Sequence, residues 1–321
     1  MKRFFRCAVL SILLFALLPA QARAAELLIP VGKIIGLHLK SDTVAVTAYD
    51  DILGDNARSA GLKIGDEIVA IDHISIETAE DIPAALQRCS DTVCLTIRRG
   101  SKVSSLRMTP VQTQDGPKLG VYLRQGIAGI GTVTFYDPET RQFGTLGHGV
   151  SDAKGSLLKM TNGTIYEADI LSVVKGKCGE PGQLKGSARS EIFGILQHNT
   201  PQGVFGISKQ GWKGEPIPVA QYEEIHTGEA TIRSTVSGSG VQEYSVDILK
   251  IYPKNRTDSR NFLLRVTDPA LLEQTGGIVQ GMSGSPIIQD GKLVGAVTHV
   301  LVNDPTRGYG IFIENMLDAA G

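Results

Sequence analysis

The chain has 321 residues, of which 42% are hydrophobic and 20% are charged, a composition ordinary for a folded protein. Its formal net charge is -1 and it has no long basic run, so the sequence gives no reason to expect nucleic acid binding. The length suggests about two domains, and 37 glycines beside a single tryptophan favour strands and turns over long helices.

The N-terminal segment has the composition of a secretory signal. Lys2, Arg3 and Arg6 precede an apolar run over residues 7–18, and small residues dominate 20–25. A basic head, an apolar stretch too short for a comfortable membrane span and small residues are typical of a signal peptide. The alternative for residues 1–25 is an uncleaved membrane anchor. In either case we expect the rest of the chain to be exported.

The chain contains four cysteines, which we consider as residues of an exported protein. Cys7 lies in the signal segment, Cys89 and Cys94 could bridge a helix end to the next strand, and Cys178 is then left over. None of them has metal-ligand spacing, and no Cys/His cluster forms. We therefore expect no structural metal and no cofactor, and the pairing of Cys89 with Cys94 stays open.

Residues 26–110 have the pattern of a small domain. Apolar alternation predicts short strands, and the apolar spacing over residues 79–89 predicts a helix. Residues 60–68, Ala-Gly-Leu-Lys-Ile-Gly-Asp-Glu-Ile, closely match a signature of PDZ domains. The order of elements resembles the circularly permuted PDZ form of bacterial proteases, so we predict a PDZ-like domain over residues 26–110.

The PDZ resemblance implies a peptide site. In that family an extended peptide adds to a sheet edge, and its terminal carboxylate meets backbone N–H groups of a loop. By resemblance this loop is formed by Ile35, Gly36 and Leu37. The alternative is a domain that packs against the catalytic part and binds no free peptide.

A second domain is predicted after a polar linker at residues 111–120. From 121 to 321, many short apolar segments are separated by turn residues. Such regular spacing favours a β-barrel or sandwich over a parallel sheet covered by helices. We therefore expect a mainly β chain.

The stretch most indicative of chemistry is Gly-Met-Ser-Gly-Ser-Pro at residues 281–286. Glycine permits unusual dihedral angles and leaves room for a substrate. In peptidases with this kind of stretch, N–H groups around the serine point at the developing oxyanion. These N–H groups belong to Gly281 and Ser283 in the motif. The alternative is an ordinary Gly/Ser turn between two strands.

A second candidate is His148, which lies between two glycines at a predicted strand end. A general base must titrate near neutral pH and reach the nucleophile, and histidine meets the first condition unshifted. Alone, a turn histidine would be the simpler interpretation. Together with the serine stretch 135 residues later (283 minus 148), the histidine is interpreted as catalytic.

The whole chain resembles the stage IV sporulation protein B family, signalling serine peptidases of endospore-forming bacteria that are placed with chymotrypsin-like peptidases. The resemblance rests on residues 131–138, 146–149, 276–286 and 295–300. It implies an N-terminal PDZ-like domain followed by a chymotrypsin-like β-barrel peptidase domain. It also implies Ser283 as the nucleophile and His148 as its general base.

The third catalytic residue is less defined. It orients the imidazole and should lie between the base and the nucleophile in the chain. Asp268 matches the acid proposed for the family, and Asp247 competes because its flanks suggest a buried strand. Ser285 is expected to support the turn, and His299 is expected to have a pocket or structural role.

The family resemblance further implies a biological setting. The peptidase would be exported into the space between the forespore and mother-cell membranes, cut itself near its N-terminus, and then cut a membrane-bound regulatory complex. Two alternatives stay open. One is a general exported quality-control protease of the high-temperature-requirement kind, and the other is a catalytically silent PDZ-containing scaffold.

Overall fold

The computed structural model describes residues 26–89, 91–152, 155–238, 240–256 and 258–321. The predicted signal segment lies outside these residues. None of the helices in the described ranges is long and apolar enough to cross a membrane.

The elements fall into four consecutive groups. The first group contains β1 (Leu27–Pro30) and β2 (Ile34–Ser41). The second contains β3 (Val44–Tyr49), α1 (Asp55–Ser59), β4 (Glu67–Ile71), β5 (Ile74–Ser75), α2 (Asp81–Leu86), β6 (Val93–Arg99), β7 (Lys102–Met108), β8 (Val111–Thr113), β9 (Gly116–Lys118) and β10 (Val121–Arg124). The third contains β11 (Ile127–Tyr136), β12 (Gln142–Thr145), β13 (Met160–Val174), β14 (Gln183–Thr200), β15 (Gly203–Ser208), β16 (Ile217–Pro218) and a 3₁₀ turn (Tyr222–Glu224). The fourth contains β17 (Gly228–Ser234), β18 (Gln242–Ile251), β19 (Phe262–Val266), α3 (Pro269–Thr275), β20 (Pro286–Gln289), β21 (Lys292–Leu301), β22 (Asp304–Phe312) and α4 (Ile313–Ala320).

Two barrels form the body of the protein. The first sheet has the order β12-β15-β14-β13-β2-β11-β1-β16, and an additional pairing of β11 with β12 closes six of these strands into a ring. The second barrel is closed in the order β17-β18-β19-β22-β21-β20. The prediction of a mainly β chain with a β-barrel peptidase domain is confirmed.

Alternating side chains explain the second barrel. Ala230 and Ile232 on β17, and Val246 and Ile248 on β18, point inward while the residues between them are more exposed. Full burial of a valine or isoleucine side chain contributes about 1.5–3 kcal/mol relative to an exposed one. The two-residue period therefore fixes which face of each strand packs into the barrel.

The proposed peptide loop is wrong. Ile35, Gly36 and Leu37 lie in β2, which pairs with β11 on one side and β13 on the other. A strand with both edges paired has no free row of N–H and C=O groups to accept a peptide. Ile35 and Leu37 are buried in the core of the first barrel, which explains their apolar character.

The domain boundaries in the structure differ from those that the sequence predicts. Strands β3 to β7 and β10 form a separate sheet, so the small domain is inserted between β2 and β11. Residues 111–118 of the predicted linker form the hairpin β8–β9. The PDZ character of the inserted domain stays a prediction.

Candidate active site

The serine stretch forms a tight turn between α3 and β20. Gly281 has φ +100° and Gly284 has φ +97°, values that side chains rarely allow. A Cβ atom on Gly284 would lie 1.9 Å from the carbonyl oxygen of Thr132. The glycines on either side of the serine are thus required by backbone conformation and, at Gly284, by close approach.

Threonines of the first barrel hold this turn of the second barrel. The Thr132 hydroxyl donates to the Gly281 carbonyl at 2.8 Å, and the Thr132 N–H donates to the Ser283 carbonyl at 3.0 Å. The Thr134 hydroxyl donates to the Gly284 carbonyl at 2.8 Å. These three bonds from β11, called the threonine clamp below, fix Ser283 where the two barrels meet.

The segment after β12 brings His148 to the same place. Leu146 and Gly147 have φ +69° and +67°, so two consecutive left-handed residues turn the chain sharply. A Cβ on Gly147 would lie 2.9 Å from a methyl carbon of Thr298 on β21. This close fit lays the residues around His148 against the second barrel.

The contacts of His148 set its tautomer and charge. Its Nδ1 lies 3.0 Å from the Gly149 carbonyl oxygen. Because a carbonyl only accepts, Nδ1 carries the proton and Nε2 keeps the lone pair that a general base needs. Burial lowers the pKa of His148, and the Gly149 bond opposes this only in part. The imidazole is therefore neutral at neutral pH.

Ser283 and His148 each contact one of two consecutive residues of β21. The Ser283 hydroxyl donates to the Thr298 carbonyl at 2.7 Å. The next residue, His299, places its ring centroid 5.0 Å from that of His148, with a tilt of 37°. Among the described residues, no hydrogen bond joins Ser283 to His148. The Ser283 hydroxyl must therefore leave the Thr298 carbonyl before it can donate to another acceptor.

His299 is an unusual neighbour for a base. Its Nδ1 is buried and has no hydrogen-bond partner among the described residues. Burial, followed by the charges of His148 and Arg260, lowers the pKa of His299 to about 4, while Asp258 opposes the shift. The sequence predicts a pocket or structural role for His299. The structure places it directly against the predicted base.

Of the five backbone N–H groups at residues 281–285, two have no hydrogen-bond acceptor among the described residues. Those of Met282, Gly284 and Ser285 donate to backbone carbonyls of Val279, Val297 and Met282. Within the described ranges, the N–H groups of Gly281 and Ser283 have no acceptor. Unpaired N–H groups beside a nucleophile are what an oxyanion hole requires.

The neighbours of Ser283 have structural roles. Ser285 is fully buried, and its hydroxyl donates to the Ser234 hydroxyl at 3.0 Å. Met282 is fully buried in the core of the second barrel, so it does not line an open pocket. Ser283 itself is partly exposed. Of the two serines, Ser283 alone is placed to meet a substrate.

The candidate acids lie elsewhere. Asp268 begins α3 as its N-cap, with one oxygen accepting from the Leu271 N–H at 3.0 Å and the other from the Ser245 N–H at 3.4 Å. Asp247 is paired with Arg265 at 2.6 Å. Within the described ranges, neither carboxylate forms a hydrogen bond or ion pair with His148, whose Nδ1 bonds to the Gly149 carbonyl. The assignment of Asp268 as the orienting acid stays a prediction.

Asp258 is a charged residue that sequence reasoning missed. It is paired with Arg256 and lies close enough to His299 to affect its pKa. Its surroundings are a polar loop between β18 and β19, where no periodicity or motif marks a functional residue. Proximity in the fold is the only signal that could have found it.

The cysteines do not form the bridge that was left open. Cys89, Cys94 and Cys178 are free. Asp72 accepts from the Cys94 N–H at 2.8 Å, and the Cys89 thiol donates to the Ala85 carbonyl at 3.1 Å. Among the residues with described positions, no group of three or more His, Cys, Asp or Glu side chains could hold a metal ion.

A serine on a glycine turn with two unpaired N–H groups, beside a neutral histidine where two β-barrels meet, is the arrangement of a serine peptidase. Residues 115–317 match the family of the SpoIVB peptidase S55. Because the match spans more than half of the chain, the protein belongs to that family and is a serine peptidase.

A comparison with solved structures also gave matches of low identity. The active form of the Rv3671c protease from M. tuberculosis is 15% identical, with 61% of this chain and 75% of that chain covered and a TM-score of 0.39. The inactive form of the same protease is 14% identical, with 59% and 82% covered and a TM-score of 0.35. A search of the curated proteins gave no match.

Proposed function

We propose that the protein is an exported serine endopeptidase that cuts itself near its N-terminus and then cuts a membrane-associated regulator in sporulation signalling between two compartments. The observation that carries the catalytic part is the turn at Ser283, with its two unpaired N–H groups. Membership of the SpoIVB peptidase family supports the signalling setting. The composition of residues 1–25 supports export.

The proposed reaction is acyl transfer. The Ser283 oxygen attacks the carbonyl carbon of the scissile bond while its proton passes to Nε2 of His148. The oxyanion then accepts from the N–H groups of Gly281 and Ser283. His148 returns the proton to the leaving amine, and a water molecule, deprotonated by the same nitrogen, hydrolyses the acyl-enzyme.

Two features of the resting site affect this reaction. The Ser283 hydroxyl must leave the Thr298 carbonyl before it can donate to His148. The Gly149 carbonyl holds the imidazole in the required tautomer. An orienting carboxylate normally fills that second role, so the function of Asp268 is a separate question that substitution answers.

Self-cleavage is tested with the full chain in membrane vesicles, followed by mass spectrometry beside Ser283→Ala. The proposal expects new N-termini within or just after residues 1–25 in the parent, and an intact chain in the variant. Equal cutting of both chains would exclude Ser283 as the nucleophile. If the parent stays whole and a fluorophosphonate probe labels neither chain, the peptidase activity itself is contradicted.

The signalling role needs a cellular test. In an endospore-forming host that lacks its own peptidase of this family, expression of the parent chain is expected to restore spore formation, whereas Ser283→Ala is not. Restoration by both chains would favour the scaffold alternative. Fractionation of the two sporulation membranes, with an antibody against the inserted domain, tests the proposed location directly.

A further inference from the structure

The β13–β14 hairpin reaches from the first barrel to the nucleophile region of the second. Residues 175–182 connect its strands and are called the hairpin tip here. The Gly176 N–H donates to the Thr275 carbonyl at 2.8 Å, at the end of α3. The Gly179 N–H donates to the Val302 carbonyl at 2.9 Å, just beyond β21. The tip is thus bonded on both sides of the segment that leads to Ser283.

The base of the tip holds both backbone groups of Gln280. The Gln280 N–H donates to the Gly182 carbonyl at 2.9 Å, and the Leu184 N–H donates to the Gln280 carbonyl at 2.8 Å. Together they make a parallel bridge between Gln183 and Gln280. Gln280 is the residue immediately before the predicted oxyanion donor.

The bond from the Leu184 N–H to the Gln280 carbonyl also fixes the direction of the Gly281 N–H, because the peptide unit is planar. The carbonyl of Gln280 and the N–H of Gly281 belong to the same trans peptide, so they point in opposite directions. When Leu184 holds the carbonyl, the Gly281 N–H is directed away from the hairpin. A rotation of this peptide by half a turn would break the Leu184 bond and remove the donor from the site.

Packing makes the arrangement tight. Leu184 is fully buried, and a Cβ on Gly281 would lie 3.1 Å from the Leu184 Cβ. A Cβ on Gly182 would lie 2.4 Å from the Gly176 nitrogen and 2.6 Å from a methyl carbon of Val279. Gly182 therefore cannot gain a side chain unless the tip or the segment before Gln280 shifts.

We propose that the junction between the hairpin tip and β14, at residues 182–184, is a positioning element for the oxyanion hole, acting through the bond from the Leu184 N–H to the Gln280 carbonyl. This inference rests on the proposed function, in which the Gly281 N–H stabilises the oxyanion. Gly182 and Leu184 are positioning residues, because they touch the segment that carries the donor and not the substrate.

A matched pair of glycine variants in the full chain tests the proposal. Gly182→Ala adds a Cβ where there is no room, whereas Gly179→Asn adds a side chain at φ +81° in open space, in a conformation that asparagine tolerates. The substrate is the full chain carrying Ser283→Ala, cut in trans at several concentrations. A peptidyl boronic acid, which forms a tetrahedral adduct on serine, reports the oxyanion hole directly.

The expected result for Gly182→Ala is a fall in kcat of about 10²–10³-fold, the loss typical of a missing oxyanion donor, with KM changed far less. Its affinity for the boronic acid falls in parallel. Gly179→Asn keeps both values near those of the parent. If Gly182→Ala matches Gly179→Asn in kcat and boronate affinity, the proposal is overturned.

If Gly182→Ala does not fold, a backbone substitution at Leu184 tests the proposal instead. Replacing Leu184 by its 2-hydroxy acid turns the amide into an ester and removes the donating N–H without changing the side chain. The matching ester at Gly179 removes the bond to Val302 instead. Loss of kcat with the first ester alone is expected, and equal activity of the two esters refutes the inference. If the parent chain itself neither cuts nor reacts with a fluorophosphonate, the failure lies with the proposed function.

Discussion

Gly284 offers a direct test of how the serine turn is held. Replacement by alanine places a methyl group 1.9 Å from the Thr132 carbonyl oxygen and 2.6 Å from the Leu146 nitrogen, both backbone atoms. Gly284 also has φ +97°. Left-handed backbone costs an alanine about 1–2 kcal/mol, and overpacking a tight site costs about 1–3 kcal/mol more. Gly284→Ala should thus lower the free energy of unfolding by about 2–5 kcal/mol.

Gly291 provides the control for this substitution. It lies in the turn between β20 and β21 with φ +73°, and nothing lies within 4 Å of a Cβ added there. Gly291→Ala therefore has the conformational cost of about 1–2 kcal/mol without the overlap. The difference between the two variants isolates the contact between the turn and the threonine clamp.

Urea unfolding of both variants gives the two free energies. The rate of fluorophosphonate labelling measures how well Ser283 is still placed. We expect Gly284→Ala to lose most of its labelling rate and Gly291→Ala to keep it. Equal stability and equal labelling of the two variants would show that the turn is free to move and would refute the clamp.

Three further predictions concern the clamp, the acid and the histidines. Thr132→Val leaves the Gly281 carbonyl without its 2.8 Å donor and should cost about 1–3 kcal/mol in urea unfolding, whereas Thr132→Ser should retain the bond. Asp268→Asn keeps the helix cap but loses the acceptor of the Ser245 N–H, so it should lower the free energy of unfolding by about 0.5–1.5 kcal/mol. The kcat should stay within about 10-fold of the parent, because His148 is oriented by a carbonyl. His299 is neutral when folded down to pH about 4, so the unfolded chain binds its proton first, and stability should fall as pH drops from about 6.5 towards 4. His299→Phe should reduce that slope in thermal unfolding.

Each of these predictions has a contradicting outcome. Unchanged unfolding of Thr132→Val would mean that the Gly281 carbonyl is satisfied without the threonine hydroxyl. A fall in kcat of about 10⁴-fold for Asp268→Asn, with no further loss of stability, would identify Asp268 as the orienting acid after all. An unchanged pH slope in His299→Phe would show that His299 is not the group whose protonation is linked to unfolding.

The sequence was a better guide to the candidate site residues, which the structure brings to one strand, than to the strand pairing. Ser283 and His148 could be found because glycines must surround a group held on a sharp turn, and that requirement is local. The register of β2 could not be found in the same way. Its residues are buried by β11 and β13, which come far later in the chain, and an apolar-Gly-apolar pattern fits a barrel strand as well as a loop.

Asp268 carries a local sequence signal that is separate from the family resemblance. An aspartate followed by proline marks the start of a helix, because the side chain caps the first turn and proline suits its first position. The structure shows this cap together with the helix α3. The capping role follows from the local sequence, whereas the catalytic role of this carboxylate is implied by the family resemblance and stays a prediction. The contact of His299 with His148, by comparison, depends on how two barrels meet and leaves no trace in sequence.

The insertion of the small domain has a consequence for how this protein can change. Leu39 near the end of β2 pairs with Ile127 at the start of β11, so the two connections to the inserted domain lie side by side. The Gln125 amide also donates to the Ser41 carbonyl at 3.1 Å and ties the two connections together. In effect the first barrel has a β-hairpin whose loop is an entire domain. A few turn residues could replace that loop and keep the register of β2 and β11. The domain can therefore be exchanged or lost in evolution while the two barrels and the candidate active site between them are retained.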